Sequence, residues 1–226
     1  GLVTMVTLAP EHEGACAYIA ALAALGVHVA IGHTAATAEE IHAAADAGAR
    51  ISTHLGNGAA SLLPRHPNFI WAQLADDRLC AGLIADGHHL PADTLKAMLR
   101  AKGRDRAFLV SDTVALAGMP AGTYRQPVGG DVAVSEEGRV SLAGTPYLAG
   151  AGHPLATDIA RAVVMTGLPL AEVLPLATLN PGRFVGGRGV LEVGARADFI
   201  RFAWKQGDDA LDIRETWVAG EKVFEQ

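Results

Sequence analysis

The sequence has few of the groups on which disulfide-linked secreted proteins depend. Its 226 residues include only two cysteines, Cys16 and Cys80, which is too few for a disulfide framework. Cys16 lies in an alanine-rich stretch typical of a helix, and Cys80 begins an apolar run typical of a strand. We therefore expect both to be small buried hydrophobic side chains in a protein of the reducing cytoplasm.

The sequence also lacks basic clusters and long apolar runs. Its 24 acidic and 18 basic residues give a net charge of -6, which argues against a nucleic-acid or membrane-surface partner and favours a small molecule. No apolar run reaches the roughly 18 residues of a membrane span, and no basic-then-apolar signal segment opens the chain. The first residue is Gly1 rather than Met, which indicates a cut chain.

The apolar residues that are present predict repeated βα units. They make up half of the chain, enough to bury a sizeable core. Five near-continuous apolar runs are each followed by a loop and a helical pattern, which is typical of a parallel sheet with both faces covered. The predicted strands are residues 2–8, 27–31, 50–53, 80–85 and 107–110.

The helices between these strands carry start and stop signals. Thr37 with Glu40 is a capping-box pattern that begins one helix, and Gly48 ends it. Pro91 and Gly103 bound a second helix in the same way.

The second half of the chain changes in character. Residues 118–142 are glycine-rich and alternate in polarity, which predicts antiparallel hairpins. Two helices follow at 154–166 and 169–179, and Asn180-Pro181-Gly182 is a stop signal for the second. The tail, 197–224, is rich in strand formers, and we expect it to pair with the hairpins as a small β domain.

Polar side chains end four of the five predicted strands. They are His33, His54, the Asp86-Gly87-His88-His89 segment and Asp112. In parallel barrels such groups gather at the carboxyl ends of the strands. Two imidazoles and a carboxylate at one rim can hold a divalent ion and leave a position open for water, so His33 and His54 are the predicted metal ligands. Asp86 is predicted to shape the turn that presents His89 rather than to bind metal.

The order of the motifs resembles the amidohydrolase superfamily and, within it, the N-acetylglucosamine-6-phosphate deacetylases. The motifs are GHT at 32–34, THLGN at 53–57, ADGHH at 85–89, SDT at 111–113, LAGT at 142–145 and TLNPG at 178–182. VTLAPE at 6–11 and GARAD at 194–198 extend the resemblance over nearly the whole chain. Each motif is weak alone, and the ordered set is specific.

The resemblance implies an α/β fold, a (β/α)₈ TIM-type barrel that is incomplete here and holds strands four to eight, with part of a small β-sandwich. It assigns 1–117 and 143–182 to the partial barrel, and 118–142 and 183–226 to β-rich segments. Five strands do not close a barrel of eight, so we expect further strands before Gly1.

The resemblance also implies a function, the hydrolysis of the acetamide of N-acetylglucosamine 6-phosphate to glucosamine 6-phosphate and acetate. It implies a cytoplasmic homodimer with a divalent metal, zinc first, although iron, manganese and cobalt suit the same ligands. The implied roles are metal binding by His33 and His54, catalysis by Asp112, and substrate binding by His89, Asn57, Gly58 and Arg65, with Arg65 reaching the sugar phosphate across the subunit interface.

Departures from the family pattern keep two alternatives open. The family's acidic metal ligand, in a Glu-Gly-Pro-Phe phrase on the third strand, has no counterpart here. Gly56 replaces an aromatic residue and Gly58-Ala59 replaces Ala-Met, which indicates a differently shaped sugar pocket. The alternatives are another amidohydrolase, acting on a cyclic amide or a dipeptide, and a non-catalytic fragment.

We predict that residues 1–226 expressed alone are poorly soluble. An incomplete barrel leaves an open strand edge and exposed core surface, against a stability margin of only about 5 to 15 kcal/mol. Soluble yield and thermal unfolding measure this, and a soluble chain that melts cooperatively would contradict it.

Overall fold

A five-stranded parallel sheet forms the first half of the chain. The computed structural model describes residues 2–60, 62–127 and 130–226, so Gly1, Ser61, Val128 and Gly129, which fall within the predicted domain ranges, lie outside it. The five predicted strands are confirmed, each within its predicted range. In chain order, which is also their order in the sheet, they are β1 (Met5–Leu8), β2 (His28–Ile31), β3 (Ile51–Ser52), β4 (Cys80–Leu83) and β5 (Ala107–Leu109).

Four helices connect these strands, namely α1 (Ala15–Ala24), α2 (Ala38–Ala47), α3 (Phe69–Ala75) and α4 (Ala92–Lys102). The predicted capping box of α2 is confirmed, because Thr37 Oγ1 accepts from the Glu40 amide at 3.2 Å and Glu40 Oε2 accepts from the Thr37 amide at 2.7 Å. Gly48 ends α2 with φ of 122°, and Pro91 and Gly103 flank α4 as predicted. No helix in the described part of the chain is long and apolar enough to cross a membrane.

The prediction that Cys16 is buried is wrong, because Cys16 is exposed on α1. The buried residues of this helix are Ala15 and Ile19, four residues apart on one face. Cys16 lies one residue, roughly 100° of helix rotation, from that face. An alanine-rich helix has little polar contrast around its circumference, so its sequence does not show which face turns inward.

Two helices follow the antiparallel region, α5 (Leu155–Thr166) and α6 (Leu170–Ala177), and pack with α4 against β4 and β5. The predicted stop signal Asn180-Pro181-Gly182 instead lies in a separate short helix, α7 (Leu179–Gly182). Proline is tolerated there because the first turn of a helix needs no amide donor. Asn180 Nδ2 donates to the carbonyls of Arg104 and Ala107, both at 2.7 Å, and so holds the start of β5.

The β-rich segments form two separate antiparallel sheets, and the prediction that the tail pairs with the hairpins is wrong. One sheet holds β6 (Gly122–Gln126), β7 (Gly130–Val134), β8 (Arg139–Leu142) and β9 (Leu148–Ala151), and the other holds β10 (Phe199–Ala203), β11 (Asp212–Val218) and β12 (Glu221–Glu225). Strands next to each other in sequence pair first because their loops are short. β9 lies inside the 143–182 segment that was assigned to the barrel, and the division into domains stays a prediction.

A buried lysine joins α3 to α4. Lys102 is 1% exposed, and its ammonium donates to the carbonyls of Gln73 at 2.8 Å and Asp76 at 2.6 Å. These carbonyls lie at the end of α3, where a helix leaves acceptors without partners. Burial lowers the pKa of Lys102, and the two carbonyl contacts offset part of the cost of burying its charge.

We predict that Lys102→Met lowers the free energy of unfolding by about 2 kcal/mol, because it leaves two buried carbonyls without a donor. Arg100→Met, exposed on the same helix, is the control, with an expected change below about 0.5 kcal/mol. Urea unfolding of the protein expressed from its complete gene measures both. Equal midpoints for the two variants would show that the lysine contacts do not stabilise the α3–α4 junction.

Candidate functional site

The register of the parallel sheet brings polar side chains at the strand ends to one rim. Ile31 of β2 pairs with Ser52 of β3, and His33 and His54 each lie two residues beyond that pair. Leu83 of β4 pairs with Leu109 of β5, and Asp86 and Asp112 each lie three residues beyond. Because the offsets from the paired positions are equal, His33 lies level with His54, and Asp86 lies level with Asp112, at the carboxyl edge of the sheet.

Three of these residues have an unusual backbone. In the described residues, the non-glycine positions with positive φ are His33 at 53°, His54 at 29°, Asp112 at 54° and Ala219 at 53°. Left-handed backbone costs an L-residue roughly 1 to 2 kcal/mol. Such strain collects at functional sites, where the surrounding structure enforces it. Three of the four strained positions thus lie at strand ends on one rim.

The imidazoles of His33 and His54 face each other edge to face. Their Nε2 atoms are 3.0 Å apart, their ring centroids are 4.7 Å apart, and the ring planes are inclined by 84°. Two nitrogens that bind one ion at about 2.0 to 2.1 Å, with octahedral to tetrahedral angles, are separated by about 2.9 to 3.4 Å. The pair therefore fits as two ligands of one divalent ion.

The surroundings of His54 favour the neutral form of its imidazole. His54 is buried, and burial together with the neighbouring His33 lowers its pKa although Asp112 opposes the shift. A low pKa keeps the imidazole neutral, the form that binds metal. Within residues 2–60, 62–127 and 130–226, no group of three or more His, Cys, Asp or Glu side chains is arranged to hold a metal ion. The described residues thus include two ligands, His33 and His54, that fit one divalent ion.

A second pair of side chains, Asp86 and His89, lies beside the imidazole pair. His89 Nδ1 is 2.7 Å from Asp86 Oδ2, while Asp86 Oδ1 accepts from the amides of His88 at 2.8 Å and His89 at 2.9 Å. Burial raises the pKa of Asp86, but these hydrogen bonds outweigh burial and lower it to about 2. The ionised carboxylate therefore directs His89 Nε2 to within 4.0 Å of Asp112 Oδ2. The prediction that Asp86 shapes the turn presenting His89 agrees with these contacts.

The predicted phosphate-binding residues lie in the loop between β3 and α3. The Asn57 side chain donates to the His54 carbonyl at 3.2 Å, so it braces the turn that carries His54. Gly58 has φ of 60°, and a Cβ there would lie 2.6 Å from His33 Nδ1. Arg65 is exposed farther along the loop. In the described residues, no hydrogen bond or ion pair joins its guanidinium to the rim side chains.

Two supporting contacts were not predicted from the sequence. Glu11, three residues after β1, accepts from the Ala35 amide at 2.7 Å and from Thr34 Oγ1 at 2.5 Å, and so holds the loop that follows His33. The carbonyl of Asp112 accepts from the Ala151 amide of β9 at 2.8 Å. An acidic residue just after a strand signalled the first contact, whereas nothing local to Asp112 signalled the second.

Comparison with known proteins shows the family of the chain. The sequence profile of the amidohydrolase family matches residues 1–223. The chain belongs to the amidohydrolase family. This family is generally metal-dependent, in keeping with the paired imidazoles.

Individual relatives are deacetylases of amino sugar phosphates. An N-acetylgalactosamine-6-phosphate deacetylase of Escherichia coli O157:H7 is 36% identical over 96% of the chain and 56% of its own length. An N-acetylglucosamine-6-phosphate deacetylase of Bos taurus is 34% identical over 99% of the chain and 54% of its length. The crystal structure of the Mycobacterium smegmatis N-acetyl-D-glucosamine-6-phosphate deacetylase matches with a TM-score of 0.87 and 35% identity, over 98% of the chain and 58% of its length. The chain thus spans about half the length of these amidohydrolases.

We predict that Gly58→Ala displaces the His33 imidazole and weakens Zn²⁺ binding at least about tenfold, as expected for loss of support to a metal ligand. Gly14→Ala is the matched control, because Gly14 also has positive φ, 79°, but nothing within 4 Å of an added Cβ. Calorimetric titration of the protein expressed from its complete gene compares the two. Equal Zn²⁺ affinities would show that Gly58 does not support His33.

Proposed function

We propose that this chain carries metal-binding and catalytic residues of a hydrolase that removes the acetyl group from N-acetylglucosamine 6-phosphate. The observation that carries the proposal is the strained backbone of His33, His54 and Asp112 at one rim of the sheet. Membership of the amidohydrolase family supports the reaction class, and the deacetylase relatives support the amino sugar phosphate.

The proposed architecture is a (β/α)₈ barrel in which β1 to β5 are the fourth to eighth strands. Their parallel order and the helices between them support a barrel segment. β10 to β12 are the proposed contribution to a small β-sandwich. Phe199 and Trp217 stack on this sheet with centroids 5.5 Å apart, which supplies an aromatic face for packing.

The proposed metal ligands in this chain are His33 and His54. When bound, a divalent ion supplies Lewis-acid polarisation of the acetyl carbonyl and makes water more acidic. Zinc is the first choice because it accepts imidazole ligands and an open coordination position, and iron, manganese and cobalt accept the same donors. The 3.0 Å separation of the two Nε2 atoms supports this assignment.

Asp112 is the proposed acid and base. Its carboxylate is 40% exposed at the rim, so a substrate can reach it. In the hydrolysis, a water oxygen attacks the acetyl carbon, and Asp112 accepts the proton that the water loses. The carbon–nitrogen bond then breaks, and Asp112 returns the proton to the departing amine. The products are acetate and glucosamine 6-phosphate.

His89 is the proposed partner of the substrate carbonyl. Asp86 holds its Nδ1, so Nε2 faces the space beside Asp112. A protonated Nε2 can donate to the carbonyl oxygen as negative charge develops there, which is the stage at which preorganised donors contribute most. The buried Asp86 and His89 side chains, 1% and 4% exposed, support such preorganisation.

The proposed phosphate site comprises Arg65, Asn57 and the Gly58 amide. A guanidinium suits phosphate because its planar fork donates two parallel hydrogen bonds. Arg65 is exposed, and the nearby Leu62 and Trp71 are exposed apolar side chains, which supports a homodimer interface at this loop. The proposed compartment is the cytoplasm, where the two free cysteines stay reduced.

Other substrates are alternatives to N-acetylglucosamine 6-phosphate. The first alternative is the epimeric sugar N-acetylgalactosamine 6-phosphate, because one relative is an N-acetylgalactosamine-6-phosphate deacetylase. Gly56 has φ of 88°, and a Cβ there would lie 3.2 Å from the end of the Met98 side chain, so this backbone conformation disfavours the family's aromatic residue and supports a differently shaped sugar pocket. A cyclic amide or dipeptide substrate would leave Arg65 without a role, and a non-catalytic chain would leave the strained rim without one.

We predict that Asp112→Asn lowers kcat about 10²- to 10⁴-fold, because an amide cannot accept the proton. Acetate release from N-acetylglucosamine 6-phosphate, with and without added Zn²⁺, measures it in the protein expressed from its complete gene. Asp105→Asn, exposed before β5, is the control. No metal-dependent release from folded wild-type protein would refute the deacetylase proposal.

We predict that Arg65→Gln lowers kcat/KM for the phosphorylated sugar about 10- to 100-fold, as expected for loss of a charged hydrogen bond, and leaves the unphosphorylated sugar unchanged. Arg125→Gln, exposed on β6, controls for the change of net charge. Steady-state kinetics with both sugars, and with both epimers, measures the effect. Equal losses for phosphorylated and unphosphorylated sugars would exclude Arg65 as a phosphate ligand.

A further inference from the structure

A buried carboxyl group on α5 has no hydrogen-bond partner in the part of the chain that the structure describes. Asp158, in the first turn of α5, is 0% exposed. Neither of its carboxyl oxygens has a hydrogen-bond partner among the described residues. An ionised carboxylate in such a place is very costly because nothing replaces its hydration. A neutral carboxylic acid avoids most of that cost.

Two charged groups, Asp86 and Arg161, lie near enough to Asp158 to affect its charge. Asp86 belongs to the loop after β4, and Arg161 lies one turn farther along α5. Burial and the negative charge of Asp86 raise the pKa of Asp158 to about 8, although Arg161 opposes the shift. The amino end of α5 also favours an anion, but it supplies no hydrogen bond to either oxygen.

Arg161 is hydrogen-bonded to the loop that follows β4. Its guanidinium donates to the backbone carbonyl of Asp86, and the carboxylate of Asp86 holds His89 at 2.7 Å. A second negative charge at position 158 would therefore act on this assembly in two ways. It would repel Asp86, and it would attract Arg161 away from the Asp86 carbonyl.

We propose that Asp158 is a positioning residue, held as a neutral carboxylic acid behind Asp86, and that its ionisation releases the Asp86–His89 pair facing Asp112. The inference rests on the proposed function, because the pair acts on the amide only if the rim is a hydrolytic site. Among the described residues, the Asp158 carboxyl group makes no hydrogen bond to His89 or Asp112. It acts through Asp86 and Arg161.

The first test is the pH dependence of acetate release by the protein expressed from its complete gene. Wild-type kcat/KM should fall about tenfold per pH unit above the midpoint of Asp158 ionisation, as a single ionisation requires. Asp158→Asn, which stays neutral, should shift the midpoint of this fall upward by at least about one pH unit. Asp93→Asn is the matched control, since Asp93 lies in the first turn of α4 but is exposed, and it should leave the profile unchanged.

The second test does not need catalysis. The imidazole Nδ1 proton of His89, followed by NMR in wild-type protein, should lose its low-field resonance as the pH is raised through the same midpoint. In Asp158→Asn the resonance should persist to higher pH. If Asp158→Asn does not fold, the wild-type NMR titration still decides whether the Asp86–His89 contact opens in this pH range.

Stability gives an independent check with a defined sign. A carboxyl group whose pKa is raised from 3.8 to about 8 by folding keeps a proton that the unfolded chain releases. Its contribution to stability is therefore present at low pH and is lost as the pH rises from about 4 to about 8. The melting temperature of Asp158→Asn should therefore rise relative to that of the wild type as the pH is raised over this range. The difference between Asp93→Asn and the wild type should stay constant.

The outcomes separate the two proposals. Absence of acetate release refutes the proposed function, and the NMR and melting experiments still decide the role of Asp158. The positioning role is overturned if kcat/KM of an active Asp158→Asn variant falls at the same high pH as in the wild type. It is also overturned if the His89 resonance persists to the same pH in both proteins. A melting difference that stays constant with pH shows that Asp158 is not held neutral.

Discussion

Parallel pairing of neighbouring strands in one register is the constraint on which the rest of the structure depends. Ile31 opposite Ser52, and Leu83 opposite Leu109, fix the level at which each strand leaves the sheet. A slip of one residue would turn every side chain of the strand to the other face. The same slip would also separate His33 from His54, so the apolar packing that holds the register also holds the site.

The strained backbone of the rim is tolerated because it directly follows buried strands. Left-handed conformations at His33, His54 and Asp112 together cost roughly 3 to 6 kcal/mol. The contacts that resist their relaxation come from elsewhere in the chain. Glu11 holds the loop after His33, Gly58 lies against the His33 ring, and Ala151 of β9 donates to the Asp112 carbonyl. The antiparallel sheet is thus part of the scaffold of the rim.

The electrostatics of the rim change sharply over a few side chains. Asp112 is partly exposed, where a carboxylate stays hydrated, whereas Asp86 is buried but receives three hydrogen bonds. Asp158 is buried and receives none in the described structure. The pKa values of Asp86 and Asp158 are therefore shifted in opposite directions, because the two carboxyl groups differ in access to hydrogen-bond donors. Such separation of pKa values between neighbouring acids is a common feature of hydrolytic sites.

The sequence by itself determined the parallel strands, the capped helices and the residues at the rim. These depend on local patterns, such as the apolar runs before His33 and His54 and the Thr37 capping box, which neighbouring residues specify. Tertiary structure alone decided which face of α1 is buried, how the β-rich segments pair, and that the Asp158 carboxyl group is buried without a hydrogen-bond partner among the described residues. The faces of an alanine-rich helix differ little in polarity, and residues that favour strands do not specify which strand they pair with. The hydrogen bond from Arg161 to the Asp86 carbonyl forms only once the sheet and α5 have packed, so no spacing in the sequence encodes it.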